Sequence, residues 1–537
     1  MLFNSYTFLF AFLPVALLGF YLVSRLGRRA AAGWLILASF TFYGWWNPQF
    51  VILLVLSIVL NYAASELIAA CKNRPTLQAS CLTVAIAANV GALVYYKYLA
   101  VMVHALTGLG VIHAATPDIV LPLGISFFTF TQIGYLVDRK QDLVKDRGVL
   151  DYVLFVTFFP HLIAGPILHN REIMPQFSDT ATYRFSGENL AVGLSIFVIG
   201  LAKKCLLADP ISTSIGPGFS NVAHLPALAA WNVALSYSLQ LYFDFSGYSD
   251  MAIGLARMFN IRFPLNFNSP YKATSIIDLW QRWHITLSRY LALYLYSPIS
   301  LAVARWRSKR GMGINREAQS KLGGFAAMVM FPTMVTMGLA GMWHGAGVTF
   351  LIFGLLHGSY LTINHAYRIF WPHTKKAADE RRLVRGFNIL LTYGAVVLSL
   401  IFFRAPSVQA AGQLISGMIG LHGVESLTFP APFLGLLGHV GAILQNHGVI
   451  VGVSRIDFMG QALHFAWLIL LFVIIWGMPN TQQIMRRFTP ALGRIQPGPF
   501  DAYSWRPSRG WAVAIGVVAS IGVLAIGGTG EFLYFQF

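Results

Sequence analysis

The sequence predicts an all-α integral membrane protein that crosses the bilayer many times, and three observations predict it. Of its 537 residues, 56% are hydrophobic and only 11% are charged, which leaves more apolar surface than a soluble chain of this length buries. Apolar windows of roughly the 20 residues that span a hydrocarbon core recur at 6–24, 31–47, 49–70, 79–97, 120–138, 186–202, 227–243, 323–343, 348–367, 386–403, 461–478 and 511–528. The period-two alternation that a membrane barrel requires is missing. Lipid obliges backbone groups to pair within a segment, so each window reads as a helix.

Taken in order, the first window has no positive charge ahead of it and "RLGRR" (25–29) behind it. That pattern predicts a retained helix with its N-terminus outside, not a cleaved signal. The net charge of +18 sits in short loops: "CKNR" (71–74), "DRKQDLVKDR" (138–147), "RWRSKR" (305–310), "KKAADERRLVR" (375–385), Arg486–Arg487 and 494–509. Basic loops of this kind mark the cytoplasmic side, so the charge is read as topology and not as nucleic-acid binding. Helix 386–403 then runs outward, 408–460 lies at the outer surface, 461–478 returns and 511–528 leaves again. Both termini are expected outside, with an even number of crossings, about 10 to 12. With no internal repeat, low-complexity linker or soluble stretch, residues 1–537 are read as a single membrane domain. Cys71, Cys81 and Cys205 show neither a disulfide framework nor metal spacing.

Two stretches carry groups that a plain span would not tolerate. Residues 244–310 hold Asp244, Asp250, Arg262, Asp278, Arg282 and Arg289, with Pro and Asn clustered in "FPLNFNSPYKATS" (263–275). Charge and irregular backbone at membrane depth must be buried in protein or line a wet cavity. Within this stretch, "DLWQRWHITLSRY" (278–290) read as one helix pairs Asp278 with Arg282 and His284 with Ser288 at i,i+4. An interfacial helix with Trp280 and Trp283 at headgroup level reads the same letters. The second stretch is "GLAGMWHGAGVTF" (338–350). There His344 follows 21 mostly apolar residues and is flanked by Gly341, Gly345 and Gly347, which can break a helix or admit a close neighbour. Its chemistry suits a general base. His357, His365 and His464 are read as histidines that bond neighbouring helices. No G-x-S-x-G, P-loop, dinucleotide fingerprint or H-E-x-x-H occurs.

Several motifs in order resemble the membrane-bound O-acyltransferase family. They are "MLFNSYTFLFAFLPV", "FYGWWNP" (42–48), "LPLGISFFTFTQIGYLVD" (121–138), "FFPHLIAGPI" (158–167), "YFDFSGYSDMAIG" (242–254), "FNSPYKATSIIDLWQRWHITLSRYL" (267–291), "GMWHGA" (341–346), "FFRA" (402–405) and the terminal "FLYFQF". The resemblance is strongest to the bacterial branch that acetylates exported alginate, peptidoglycan or cellulose, which also includes the D-alanyl transfer protein of teichoic acids. It implies a ring of about 10–12 tilted helices, with re-entrant pieces, around a thinned central funnel; the family core covers about 120–405. His344 and His284 fall on the family's two functional histidines. Trp343, Asp278, Gln281, Arg282, Ser288 and Asp244 are expected to support them or line the substrate path. The resemblance further implies a bacterial inner-membrane location and no bound cofactor. Acetyl-CoA would be the acyl-donor substrate, an SGNH-type acetyltransferase the periplasmic partner and an exported polysaccharide the final acceptor. A D-alanyl or lipid acyltransferase, and outside the enzymes a transporter or flippase, remain the alternatives at this point. The tail 529–537 adds one more group. Six residues separate Tyr534 from Gly528, a reach of about 20 Å against about 15 Å to the bilayer midplane. Tyr534 is therefore expected to take an acetyl group transiently, or else to serve only as an interfacial anchor.

Overall fold

The computed structural model describes residues 1–144, 148–371, 382–423, 455–493, 495, 501–527 and 533. Each of the twelve apolar windows falls on a helix, as lipid requires of segments that must satisfy their own backbone. Among the described residues, six helices are long and apolar enough to cross a membrane: Phe8–Leu26, Gln49–Ala70, Pro75–Gly108, Gly187–Ser220, Leu322–His344 and Arg382–Arg404. Two shorter apolar helices, Leu463–Gly477 and Arg509–Leu524, accompany them. The other windows lie on helices that are shorter, as in Arg28–Gly44 and Ile125–Lys140, or less apolar, as in Ala227–Met258 and Val348–Phe370. Among the described residues, β structure is limited to the isolated bridge between Pro264 and Leu492. This is an all-α, multi-pass membrane protein.

Several helices widen locally into π-turns: Phe8–Phe12, Val94–Tyr98, Lys203–Ala208, Ala292–Tyr296 and Ala326–Met330. Proline explains most of them. Pro14, Pro210, Pro298 and Pro332 each stand just after such a turn, and the residue four before each proline lies inside it. A proline ring clashes with that carbonyl and offers it no N–H; widening the turn relieves the clash without breaking the helix. The turns at Val94–Tyr98 and Lys203–Ala208 also carry the half-buried Lys97 and the buried Lys204.

The helices Gly187–Ala202 and Ala227–Met258 touch backbone to backbone. A Cβ on Gly193 would stand 2.6 Å from the Gly254 carbonyl oxygen, and one on Gly254 2.5 Å from that of Gly193. Seven residues along each helix the contact repeats: a Cβ on Gly200 would stand 2.6 Å from the Gly247 carbonyl oxygen, and one on Gly247 2.8 Å from that of Gly200. Small residues allow such close approach between membrane helices. Two of the charges anticipated in 244–310, Asp244 and Asp250, are buried and paired at this seam. Lys204 bridges Asp244 at 2.6 Å and Asp209 at 2.7 Å, and Lys203 meets Asp250 at 2.6 Å. Asp250 also accepts from the Thr481 hydroxyl and the Gln482 amide. The Tyr6 hydroxyl reaches the carbonyls of Val523 and Ile526, so the first segment and the end of the last long helix meet on one face.

One element differs from its expectation. Residues 278–290 are not a single helix. Helix Ile276–Trp280 stops, and a second begins at Ile285, with His284 between them in the left-handed conformation (φ 43°, ψ 53°). A non-glycine residue rarely adopts this region. It is held here because the 263–275 stretch pairs with the break: the Asn268 N–H donates to the Arg282 carbonyl and the Ile285 N–H to that of Asn266, both at 2.9 Å.

Candidate active site

His344 ends the helix Phe331–His344, and three features fix it there. First, the following helix Val348–Phe370 packs against it through glycines: a Cβ on Gly341 would overlap the Phe350 carbonyl, and one on Gly354 that of Met337. Second, the chain leaves the helix in an extended conformation at Gly345, where a Cβ would collide with the Phe350 ring. Third, the last carbonyls of a helix need partners from outside it. Lys97 donates to the carbonyl of Trp343, and the Tyr98 hydroxyl donates to that of Met342 at 2.6 Å. The His344 ring lies edge-on to Phe403 and Phe353, at 5.1 and 5.9 Å between centroids. Trp343 stacks on Phe130 at 5.2 Å.

His284 is held as firmly. Its Nδ1 lies 3.0 Å from Asn266 Oδ1. The same oxygen accepts from the Thr286 hydroxyl at 2.9 Å, while Asn266 Nδ2 donates to Ser249 Oγ at 3.0 Å. With Oδ1 thus fixed as an acceptor, Nδ1 carries the ring proton and Nε2 is the basic nitrogen. Phe245 packs against the ring at 4.8 Å.

Two cavities meet at His344. A wide one of about 710 Å³ is lined by Met1, Leu2, Trp45, Trp46, Lys97, Leu123–Phe127, Trp343 and His344. A narrow one of about 30 Å³ is lined by Trp280, Trp283, His284, His344, His357 and apolar side chains that include Leu241, Phe353 and Phe403. His344 belongs to both linings, and His284 shares the narrow one with it. His344 thus stands between a roomy, mostly apolar vestibule that also carries Lys97 and Ser126 and a slim apolar passage.

The remaining predicted residues sort themselves by what they touch. Trp343 lines the wide cavity. Asp278 and Arg282 form their ion pair at 2.7 Å, but they use it to shape a loop: Asp278 accepts the Thr274 N–H and Arg282 reaches the Asn268 carbonyl. Ser288 donates to the backbone carbonyls of Trp283 and His284, not to the imidazole. Gln281 is exposed. None of these four lines either cavity. Asp244 is buried and away from both linings; besides Lys204 it accepts the backbone N–H of Leu533 at 3.1 Å. Tyr534 lies outside the described residues, but Leu533 immediately before it is buried, at 5% exposure. His357 bonds a neighbouring helix, as expected, through Ser399, and it also lines the narrow cavity; Lys97 and Asn266 were not anticipated. A lysine closing an apolar window and an asparagine in a Pro-Asn run were the available signals.

Residues 126–310 match the sequence profile of the membrane-bound O-acyltransferase family. A peptidoglycan O-acetyltransferase of Helicobacter pylori is 39% identical over 454 residues, covering 79% of this chain and 81% of that protein. The chain belongs to the membrane-bound O-acyltransferase family. A probable alginate O-acetylase AlgI of Pseudomonas aeruginosa is 36% identical over 423 residues, covering 78% of this chain and 75% of that protein. A teichoic acid D-alanyltransferase of Bacillus subtilis is 28% identical over 294 residues, covering 54% and 70%. This O-acyltransferase thus combines its family's enzymatic class with two buried histidines on a shared passage.

Proposed function

We propose that this O-acyltransferase passes an acetyl group from cytoplasmic acetyl-CoA to the O-acetylation of an exported polysaccharide such as peptidoglycan or alginate, by way of a periplasmic SGNH-type partner. The protein sits in the bacterial inner membrane with both termini periplasmic. One observation carries the reading: His344 stands where a wide cavity and a narrow one meet. The names of the most similar relatives, a peptidoglycan O-acetyltransferase and an alginate O-acetylase, support the acetyl group and the class of acceptor. Coenzyme A is charged and does not cross a bilayer; a two-carbon acyl group, handed on at a site reachable from both sides, does.

In this scheme the thioester enters the narrow passage and the acceptor hydroxyl waits in the wide cavity. The acceptor oxygen attacks the thioester carbonyl, and His344 takes the hydroxyl proton. The carbon–sulfur bond breaks, the new carbon–oxygen ester forms, and the proton on His344 passes to the leaving thiolate. His284, oriented through Asn266, keeps its Nε2 toward the donor side and positions the reacting groups. Tyr534 is the first acceptor and hands the acetyl group to the partner. Its support is the aromatic tail and the buried Leu533 held on Asp244.

The test uses purified protein in vesicles with acetyl-labelled CoA and no ion gradient. Label is expected on a peptide covering residues 529–537, trapped at mildly acid pH, and on the polymer once the partner is added. Tyr534→Phe, which keeps the ring and removes only the oxygen, is expected to abolish both while accumulating normally in the membrane. Normal polymer acetylation by Tyr534→Phe reduces the tail to an anchor. Absence of transfer from acetyl-CoA alongside transfer from a D-alanyl carrier thioester overturns the acetyl donor.

A further inference from the structure

The narrow cavity holds two polar atoms that the reaction scheme does not use. His357 is 3% exposed and lines the cavity with His284 and His344. Its Nε2 lies 2.9 Å from Ser399 Oγ, and that hydroxyl donates its own proton to the Val396 carbonyl at 2.7 Å. With the Ser399 proton on Val396, Nε2 is the donor to Ser399 and Nδ1 is an acceptor. Nδ1 has no hydrogen-bond partner among the described residues. Trp280 lines the same cavity, and its ring stands at 84° to that of His357 with centroids 5.3 Å apart. Its Nε1–H is shielded and likewise has no partner among the described residues. A buried polar atom without a partner costs about 1–3 kcal/mol, so one such atom in an otherwise apolar passage calls for a reason. Here there are two, one donor and one acceptor, from neighbouring rings.

We propose that Trp280 and His357 form a recognition site for a secondary amide of the acyl donor, with Trp280 donating to the amide carbonyl and His357 Nδ1 accepting from the amide N–H. The inference rests on the thioester-donor reading and sharpens it to the pantetheine arm. That arm is slim and mostly methylene, as the apolar walls require, and interrupts its methylenes with secondary amides. Its nearest amide follows the sulfur after two methylene groups, roughly 5 Å from the thioester carbon in an extended arm. His357 and His344 both pack on Phe353, with centroids at 4.8 and 5.9 Å. An amide held by His357 thus leaves the thioester to reach toward His344. Binding would satisfy both buried atoms at once, and a thioester without the amide would leave them both unpaired. Amide recognition of this kind discriminates strongly because the penalty falls on the wrong substrate.

The experiment compares two acetyl thioesters on the purified full-length protein, measuring thiol release with acceptor present. One is S-acetyl-N-acetylcysteamine, which carries the amide; the other is S-acetyl-butanethiol, which does not. Wild-type protein is expected to favour the amide donor by at least about tenfold in kcat/KM. Trp280→Phe, which removes the N–H and keeps most of the ring, and His357→Phe are each expected to pull that ratio toward one. Ser399→Ala, which frees the tautomer of His357, is expected to lower it partway. A ratio that neither Trp280→Phe nor His357→Phe changes overturns the amide site, whether those two atoms serve only a bound water or nothing at all. A wild type that releases thiol from neither donor overturns the thioester reading and the amide site with it. Trp280→Phe guards against misfolding as an explanation, because a structural defect slows both donors and leaves their ratio intact.

Discussion

The two cavities beside His344 are built from different materials. The wide one has a lysine, a run of backbone from 120 to 127, the N-terminal methionine and two half-exposed tryptophans, Trp45 and Trp46. The narrow one has aromatic and aliphatic walls, with polar atoms only where histidine and tryptophan supply them. Under the proposed function, the contrast lets one histidine serve two substrates. In the proposed scheme the wide vestibule, with its lysine and its run of backbone, takes the bulky acceptor, whereas the apolar passage takes a thin arm and strengthens each hydrogen bond made inside it. Each side is also reinforced differently. Lys97, which lines the wide side, caps the His344 helix together with Tyr98, and the Asn266 network holds His284 on the narrow side.

The largest way to break this comparison is to remove the residue both sides share. His344→Ala is expected to lower acyl transfer by about 10²–10⁴-fold, the range of a lost general base, with normal accumulation in the membrane; near wild-type turnover in a folded variant removes His344 from the chemistry. Next comes the narrow side. His284→Ala is expected to cost about 10²-fold. Asn266→Ala, which leaves the ring in place but frees its tautomer, should cost less, about tenfold, in kcat and not in acceptor KM. Equal effects of the two substitutions would mean that Asn266 does more than orient the imidazole. The helix crossing behind the site comes third. Gly341→Val drives a side chain into the Phe350 carbonyl and is expected to destabilise the protein by about 1–3 kcal/mol, read as a lower midpoint of thermal unfolding in detergent. The smallest effect belongs to the rim of the wide side. Trp45→Ala is expected to weaken acceptor binding by about 1 kcal/mol, roughly fivefold in KM, without changing the KM for the thioester. A changed thioester KM would show that the cavities are not separate.

Much of the fold was legible because lipid is an unforgiving solvent: an apolar window has no stable choice but helix, and every window became one. The buried charges were legible for the same reason, since Asp244 and Asp250 at membrane depth had to find cations; that these would be Lys203 and Lys204, from a segment forty residues earlier, was not. The break at His284 was hidden because i,i+4 spacing persists through a helix whether or not it is interrupted, and what interrupts it is a distant strand-like pairing with Asn266 and Asn268. Trp343-His344-Gly345 stood out by sequence context. His357 did not, because its orientation depends on Ser399 from another helix, and a histidine bonded across helices looks the same in sequence whichever way its second nitrogen faces. The expected acceptor Tyr534 lies outside the described residues.

The narrowness of the inner passage also bears on the electrical life of the membrane. A continuous water column beside His344 would let ions leak, and each elementary charge that crosses dissipates about 2.3 kcal/mol per 100 mV of potential. A passage of about 30 Å³ walled by Phe245, Phe353, Phe403 and Trp283 has room for a molecule or two of water and none for a hydrated ion, and it must widen to take a thioester arm. The aromatic collar proposed to hold a thin substrate would therefore also act as an insulator in a membrane that carries a potential.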